Sequence, residues 1–104
     1  MKFKFNNYSL FSGRRGELDY YKWKVFMDEP EDKLKQVKSV EYRLHGTFSD
    51  PIRIVEDRNS RFALQSLGWG EFVINIYLNN GTEEYTKYKL KLDKPQGDLV
   101  PNPI

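Results

Sequence analysis

The chain has 104 residues, which is enough for one domain, and its lack of cysteine excludes disulfide frameworks, thiolate zinc sites and thiol nucleophiles. Its 17 basic and 15 acidic residues give a formal net charge of +2, too small to indicate nucleic-acid binding by itself. Aromatic residues make up 15% of the chain, which favours β-strands.

Apolar and charged residues alternate along most of the chain, and this period of two predicts half-buried antiparallel strands. The predicted strands span residues 2–5, 20–27, 37–45, 52–55, 62–65, 71–78 and 85–92. Asn79-Asn80-Gly81 predicts a hairpin turn, and only Glu31–Lys38 could form a helical turn. The pattern predicts an all-β fold, an immunoglobulin-like antiparallel β-sandwich of seven or eight strands.

The domain is predicted to span residues 1–93. Residues 94–104 contain three prolines and a glycine and are predicted to be a tail or linker, which leaves fusion to other domains open. Residues 1–5 alternate charge and ring, unlike a signal peptide, and no run of about 18 apolar residues occurs. We therefore expect a cytoplasmic protein without membrane insertion.

The connections between strands suggest where a ligand would bind. If successive strands reverse direction, residues 6–19, 46–51 and 66–70 connect strands at the same end of the sandwich. Ligand sites on rigid sandwiches are commonly built from such clustered loops.

Residues with catalytic or metal-binding chemistry are few. His45 is the one histidine, and no serine lies in a nucleophile elbow. The acidic residues from Asp28 to Asp32 lack the spacing of a calcium loop, and no phosphate-binding glycine-rich loop is present. No catalytic residue, metal or cofactor is predicted, and we do not expect an enzyme.

Two short motifs stand out at the predicted loop end. Residues 44–51 read LHGTFSDP, and residues 68–72 read GWGEF. Trp69 lies between two glycines, whose conformational freedom and lack of a side chain allow close approach by another chain. Phe48 follows the hydroxyl-bearing Thr47 in the first motif.

At these motifs the chain resembles the YEATS domain, a family of acyl-lysine readers, and more closely its prokaryotic branch. The resemblance covers roughly residues 19–92 and includes Tyr21–Phe26 and Val40–Arg43. It implies an aromatic sandwich, with Phe48 and Trp69 as facing rings, the Thr47 hydroxyl bonded to the acyl amide and the Trp69 backbone N–H bonded to the acyl carbonyl.

The resemblance also implies that Gly68 and Gly70 flank this slot and that His45 lines its base. Tyr20 and Tyr21 occupy the stretch where the family often has a third aromatic wall. The predicted ligand-binding residues are thus His45, Gly46, Thr47, Phe48, Gly68, Trp69, Gly70, Tyr20 and Tyr21. The predicted partner is an acylated-lysine peptide or protein, bound by a monomer.

Other interpretations remain open from the residues themselves. Trp69 could be a core residue, Phe48 a plug at the end of the sandwich, and His45 a structural hydrogen-bonding group. Trp23 alternates with Val25 and Met27 and is predicted to be core. The main alternative function is a scaffolding module that docks a partner through a sheet edge with a vestigial pocket. Lys87, Lys89 and Lys91 could meet nucleic acid or acidic lipid, but a solvated strand edge explains them better.

Overall fold

The computed structural model describes residues 3–92, which form seven strands and one short helix. The strands are β1 (Phe5–Arg15), β2 (Leu18–Met27), β3 (Ser39–Arg43), β4 (Ile52–Val55), β5 (Leu64–Gly68), β6 (Val73–Asn79) and β7 (Glu83–Lys89). The helix α1 (Glu31–Leu34) joins β2 to β3, and a 3₁₀ turn at Arg58–Ser60 joins β4 to β5.

The strands form two antiparallel sheets. One has three strands in the order β1-β2-β5, and the other has four in the order β4-β3-β6-β7. The predicted immunoglobulin-like β-sandwich is confirmed. Three hairpins, β1–β2, β3–β4 and β6–β7, alternate with crossings between the sheets, and the β3–β4 and β5–β6 connections lie beside the β1–β2 hairpin.

The core consists of the inward-facing residues of both sheets. Trp23, Val25 and Met27 of β2 are fully buried, as the alternation predicted. Tyr42 of β3 is also fully buried, and its hydroxyl donates to the Phe62 carbonyl at 2.5 Å. Burial raises the pKa of the Tyr42 phenol well above its ordinary value.

A buried amide joins the two sheets. The Asn7 side chain of β1 accepts from the Tyr88 hydroxyl at 2.6 Å and from the Lys91 N–H at 3.1 Å, and it donates to the Lys91 carbonyl at 2.7 Å. Asn7 is fully buried. Because its oxygen and nitrogen both have partners, the cost of burying this polar group is offset.

The prediction of a first strand at residues 2–5 followed by a loop over residues 6–19 is wrong. Strand β1 runs to Arg15 and pairs with β2 along its length. The inward positions after Phe5 are Asn7 and Ser9, which are buried but polar, so the chain shows no apolar alternation there. A register shift between Phe11 and Gly13 interrupts the period further.

Smaller differences concern the bounds of the other elements. Strand β5 begins at Leu64 rather than residue 62, because Arg61 and Phe62 have φ of 63° and 54°, which no strand accommodates. The Asn79-Asn80-Gly81 turn forms as predicted, with Gly81 at φ 106°. The predicted tail, residues 94–104, lies outside the described residues.

Candidate ligand-binding pocket

The first wall of the pocket is the connection between β3 and β4. The Leu44 N–H donates to the Pro51 carbonyl at 2.7 Å and closes this connection, while the Phe48 N–H donates to the His45 carbonyl at 3.0 Å and forms a turn inside it. Arg53 of β4 donates to the Ser49 carbonyl at 3.0 Å. These bonds hold Phe48 in a defined place although most of the loop is exposed.

His45 and Thr47 form a short hydrogen-bonded unit in this loop. The Thr47 backbone N–H donates to His45 Nδ1 at 3.2 Å, so Nδ1 is an acceptor and carries no proton. The Thr47 hydroxyl lies 3.0 Å from the same nitrogen and must supply the hydrogen of that contact. The lone pairs of the hydroxyl oxygen are then available to accept a hydrogen bond from a ligand.

The second wall is the end of β5 and the residues after it. Gly68 pairs with Tyr21 of β2, and Trp69 follows it with 54% of its surface exposed. Neither Gly68 nor Gly70 has positive φ, so the freedom that glycine allows is not used for a left-handed backbone here. A Cβ at Gly68 would lie 3.5 Å from Phe48 Cζ and 3.7 Å from Trp23 Nε1, in ordinary van der Waals contact, so both rings lie directly beside this glycine.

A cluster of aromatic rings packs against the wall that contains Phe48. The Phe48 and Phe72 ring centroids are 5.3 Å apart, and Trp23 meets each of them edge-on at 6.2 Å. His45 packs edge-on against Phe72 at 6.3 Å. Within residues 3–92 the ring contacts of the site do not include Trp69, so Phe48 packs on neighbouring rings whereas Trp69 does not.

These walls enclose a cavity of about 270 Å³. The residues that line it are Tyr20, His45, Thr47, Phe48, Leu67, Gly68, Trp69, Gly70, Glu71 and Phe72. Seven of the nine predicted residues are therefore brought together, whereas Gly46 and Tyr21 lie outside the lining. Tyr21 packs edge-on against Phe11 at 5.6 Å instead.

Leu67, Glu71 and Phe72 also line the cavity, and the sequence did not single them out as ligand-binding residues. Glu71 and Phe72 belong to the GWGEF motif, and membership of that motif was the signal that could have identified them. The alternation of Phe72 with Ile74 instead suggested a core role. Glu71 Oε2 accepts from the Leu92 N–H at 2.9 Å, so its carboxylate already has a backbone partner.

A comparison with protein families decides which group this arrangement represents. The family described as the prokaryotic YEATS domain matches residues 21–93, which include both pocket motifs. The chain belongs to the YEATS domain family.

Relatives of this YEATS domain include larger proteins. It is 34% identical over 87 residues to the protein AF-9 homolog of Saccharomyces cerevisiae, covering 77% of this chain and 37% of that protein. It is 41% identical over 56 residues to the protein AF-9 homolog of Kluyveromyces lactis, covering 52% and 24% respectively. The chain thus spans well under half the length of the curated relatives it matches.

A solved structure has the same fold. The Yaf9 YEATS domain recognizing an H3K122suc peptide superimposes with a TM-score of 0.68 at 25% identity, covering 89% of this chain and 78% of that one. The likeness extends over nearly nine-tenths of the chain.

The described part of this YEATS domain offers little for other kinds of site. Within residues 3–92, no group of three or more His, Cys, Asp or Glu side chains could hold a metal ion. No helix in the same range is long and apolar enough to cross a membrane.

Proposed function

We propose that this YEATS domain is a binding module without catalytic activity, and that it holds an acylated lysine side chain between Phe48 and Trp69. The observation that carries the proposal is the contrast between these two rings. Phe48 is fixed against Trp23 and Phe72, whereas Trp69 is 54% exposed on the opposite wall of the same cavity. An aromatic ring that packs on no neighbouring ring can stack on a flat ligand.

The polar groups around the two rings match the needs of an acyl amide. The Thr47 hydroxyl, whose proton points to His45, accepts from the amide N–H of the ligand. The backbone N–H of Trp69 donates to the acyl carbonyl. An amide placed in this way keeps both of its hydrogen bonds when it leaves water, which offsets the cost of its burial.

The expected affinity is modest. Burial of about 100–150 Å² of acyl surface at roughly 25 cal/mol/Å² contributes about 3 kcal/mol. A micromolar complex needs about 8 kcal/mol. Contacts to the flanking peptide must supply much of the difference, so we propose that the natural ligand is an acylated lysine within a peptide or protein rather than a free amino acid.

The comparison with known structures supports the same class of ligand. The similar Yaf9 domain was solved with a peptide whose lysine is acylated, as H3K122suc. The two cavity motifs of the present chain lie within the residues that the family model matches, 21–93.

A panel of acylated lysine peptides tests the proposed function. Acetyl-, butyryl-, crotonyl- and succinyl-lysine peptides are titrated against the protein, with the unmodified lysine peptide as the control. We expect micromolar binding of at least one acylated peptide and none of the control. Failure of every acylated peptide to bind a folded protein would contradict the proposal.

A second candidate function rests on the edge strand β4. Ile52 and Ile54 of β4 are 55% and 62% exposed, and such apolar edges can dock a partner chain. The Ile52→Lys/Ile54→Lys double variant separates the two functions. It keeps acyl-peptide affinity if the peptide binds in the cavity, and loses that affinity with the fold intact if the peptide docks along the edge.

A further inference from the structure

We infer that Arg15 determines the specificity of this pocket by pairing with a carboxylate of the bound ligand, an inference that rests on the proposed acyl-lysine function. The carboxylate could end a dicarboxylic acyl chain or belong to an acidic residue next to the modified lysine. Both sources present the same chemistry to Arg15.

The register of the β1–β2 hairpin places Arg15 beside the cavity. Tyr20, which lines the cavity, pairs with Gly13, and Gly13 has no side chain to cover the Tyr20 ring. Residues two apart on a strand share a face, so Arg15 can reach back diagonally across Gly13. Its guanidinium carbon lies 4.8 Å from the centroid of the Tyr20 ring.

The charge of Arg15 is available for a ligand. Arg15 is exposed, and no carboxylate among residues 3–92 lies within ion-pair distance of it. Its neighbour Arg14 is engaged instead, with Nη1 3.7 Å from Asp19 Oδ1 and Nε donating to the Gly16 carbonyl. A guanidinium over an aromatic ring keeps N–H donors at its periphery, in the geometry that a carboxylate accepts.

The other ionisable groups of the cavity do not take over this role. Glu71 would repel a ligand carboxylate, although its Oε2 is bonded to the Leu92 N–H. His45 uses Nδ1 as an acceptor for Thr47 and packs edge-on against Phe72. Arg15 meets a wall of the cavity at the Tyr20 side, with its guanidinium over the Tyr20 ring. The cavity thus has a cation beside Tyr20 and a carboxylate at Glu71.

Two pairs of peptides test the inference and distinguish the two sources of the carboxylate. The first pair carries succinyl-lysine or its uncharged succinamide analogue, which has the same length. The second pair carries butyryl-lysine with either glutamate or glutamine beside it. Each pair is titrated against the wild type, Arg15→Gln and the matched control Arg14→Gln, with folding checked by NMR.

We expect the wild type to prefer the carboxylate member of one pair by up to about fivefold, the upper end of the range for exposed charge pairs. Arg15→Gln should remove this preference without changing affinity for the neutral member, Arg14→Gln should keep it, and added salt should weaken it. The pair that shows the effect identifies the source.

Three results would overturn the inference. If neutral acyl peptides bind but neither pair shows a preference, Arg15 is not a determinant and the proposed function stands. If Arg14→Gln removes the preference as fully as Arg15→Gln, the effect belongs to general charge rather than to Arg15. If no acylated peptide binds, the proposed function and this inference fall together.

Discussion

At the scale of single residues, the contact between Thr47 and His45 decides how a ligand amide is met. His45 Nδ1 accepts from the Thr47 backbone and from its hydroxyl, so the hydroxyl is oriented before any ligand arrives. A preorganised acceptor loses little freedom on binding. His45 was interpreted either as a pocket residue or as a structural hydrogen-bonding group. The two interpretations are compatible, because its structural hydrogen bond also orients the Thr47 hydroxyl.

Replacing Thr47 tests this role directly. Thr47→Val keeps the size of the side chain but removes the hydroxyl, and we expect acyl-peptide affinity to fall about two- to tenfold, the value of one hydrogen bond. Thr47→Ser, the matched control, keeps the hydroxyl and should bind within about twofold of the wild type. Isothermal titration calorimetry measures both, and equal binding by Thr47→Val and wild type would contradict the assignment.

Residue identity alone predicted part of the site. Phe48, Thr47 and Trp69 were found because they lie in two recognisable motifs. Arg15 could not be found in this way, because only the pairing of Gly13 with Tyr20 brings its guanidinium to the cavity. Cross-strand register depends on the whole hairpin and is not visible as a local pattern.

At the scale of elements, the alternating strands were predictable and β1 was not. In β6 the buried Ile74, Ile76 and Leu78 follow the period of two, so the prediction of residues 71–78 is close to the observed Val73–Asn79. In β1 the corresponding inward positions hold Asn7 and Ser9. Tertiary hydrogen bonds compensate for these polar residues, and no local propensity encodes them.

The hydrogen bonds of the Asn7 amide should contribute measurably to the free energy of unfolding. Asn7→Leu leaves the Tyr88 hydroxyl and both backbone groups of Lys91 without their partner, so we expect a loss of about 2–4 kcal/mol in the free energy of unfolding. Tyr88→Phe removes only one donor and should cost about 1 kcal/mol. Urea unfolding measures both, and similar stability of Asn7→Leu and wild type would show that the amide does not hold the sheets together.

At the scale of the whole molecule, the cavity depends on the packing of both sheets. Gly68 and Tyr20 come from the three-stranded sheet, whereas Phe48 precedes β4 and Phe72 precedes β6 of the four-stranded sheet. Trp23 lies between them and touches both phenylalanine rings. Loss of sheet packing would therefore remove the site, and ligand binding should stabilise the fold.

Stability should also fall in alkaline solution. Burial raises the pKa of Tyr42, and it raises that of Tyr88 against the opposing effect of the Asn7 hydrogen bond. A raised folded pKa means that the native state holds these protons more tightly, so the stabilisation is present below the unfolded pKa of about 10 and is lost as pH rises above it.

Urea midpoints measured between about pH 8 and pH 11 check this expectation, because that range brackets the ordinary tyrosine pKa of about 10. The wild type should lose stability over the upper part of that range, and Tyr42→Phe should lose less because its buried phenol cannot ionise. Tyr85→Phe serves as the control, since Tyr85 is 45% exposed. A midpoint that is independent of pH in the wild type would contradict the assignment.

One paired measurement tests whether Trp69 forms a wall of the binding site or belongs to the core. Denaturant unfolding and acyl-peptide titration are carried out on the wild type, Trp69→Ala and Trp23→Ala. Trp69 is 54% exposed and Trp23 is fully buried, so the two variants compare the same substitution in opposite environments.

We expect Trp69→Ala to abolish peptide binding at a cost of about 1 kcal/mol of stability or less. Trp23→Ala should cost about 3–5 kcal/mol, because it leaves a cavity in the core. Severe and equal destabilisation of both variants would show that Trp69 is structural. Undiminished peptide binding by a folded Trp69→Ala protein would contradict the binding site itself.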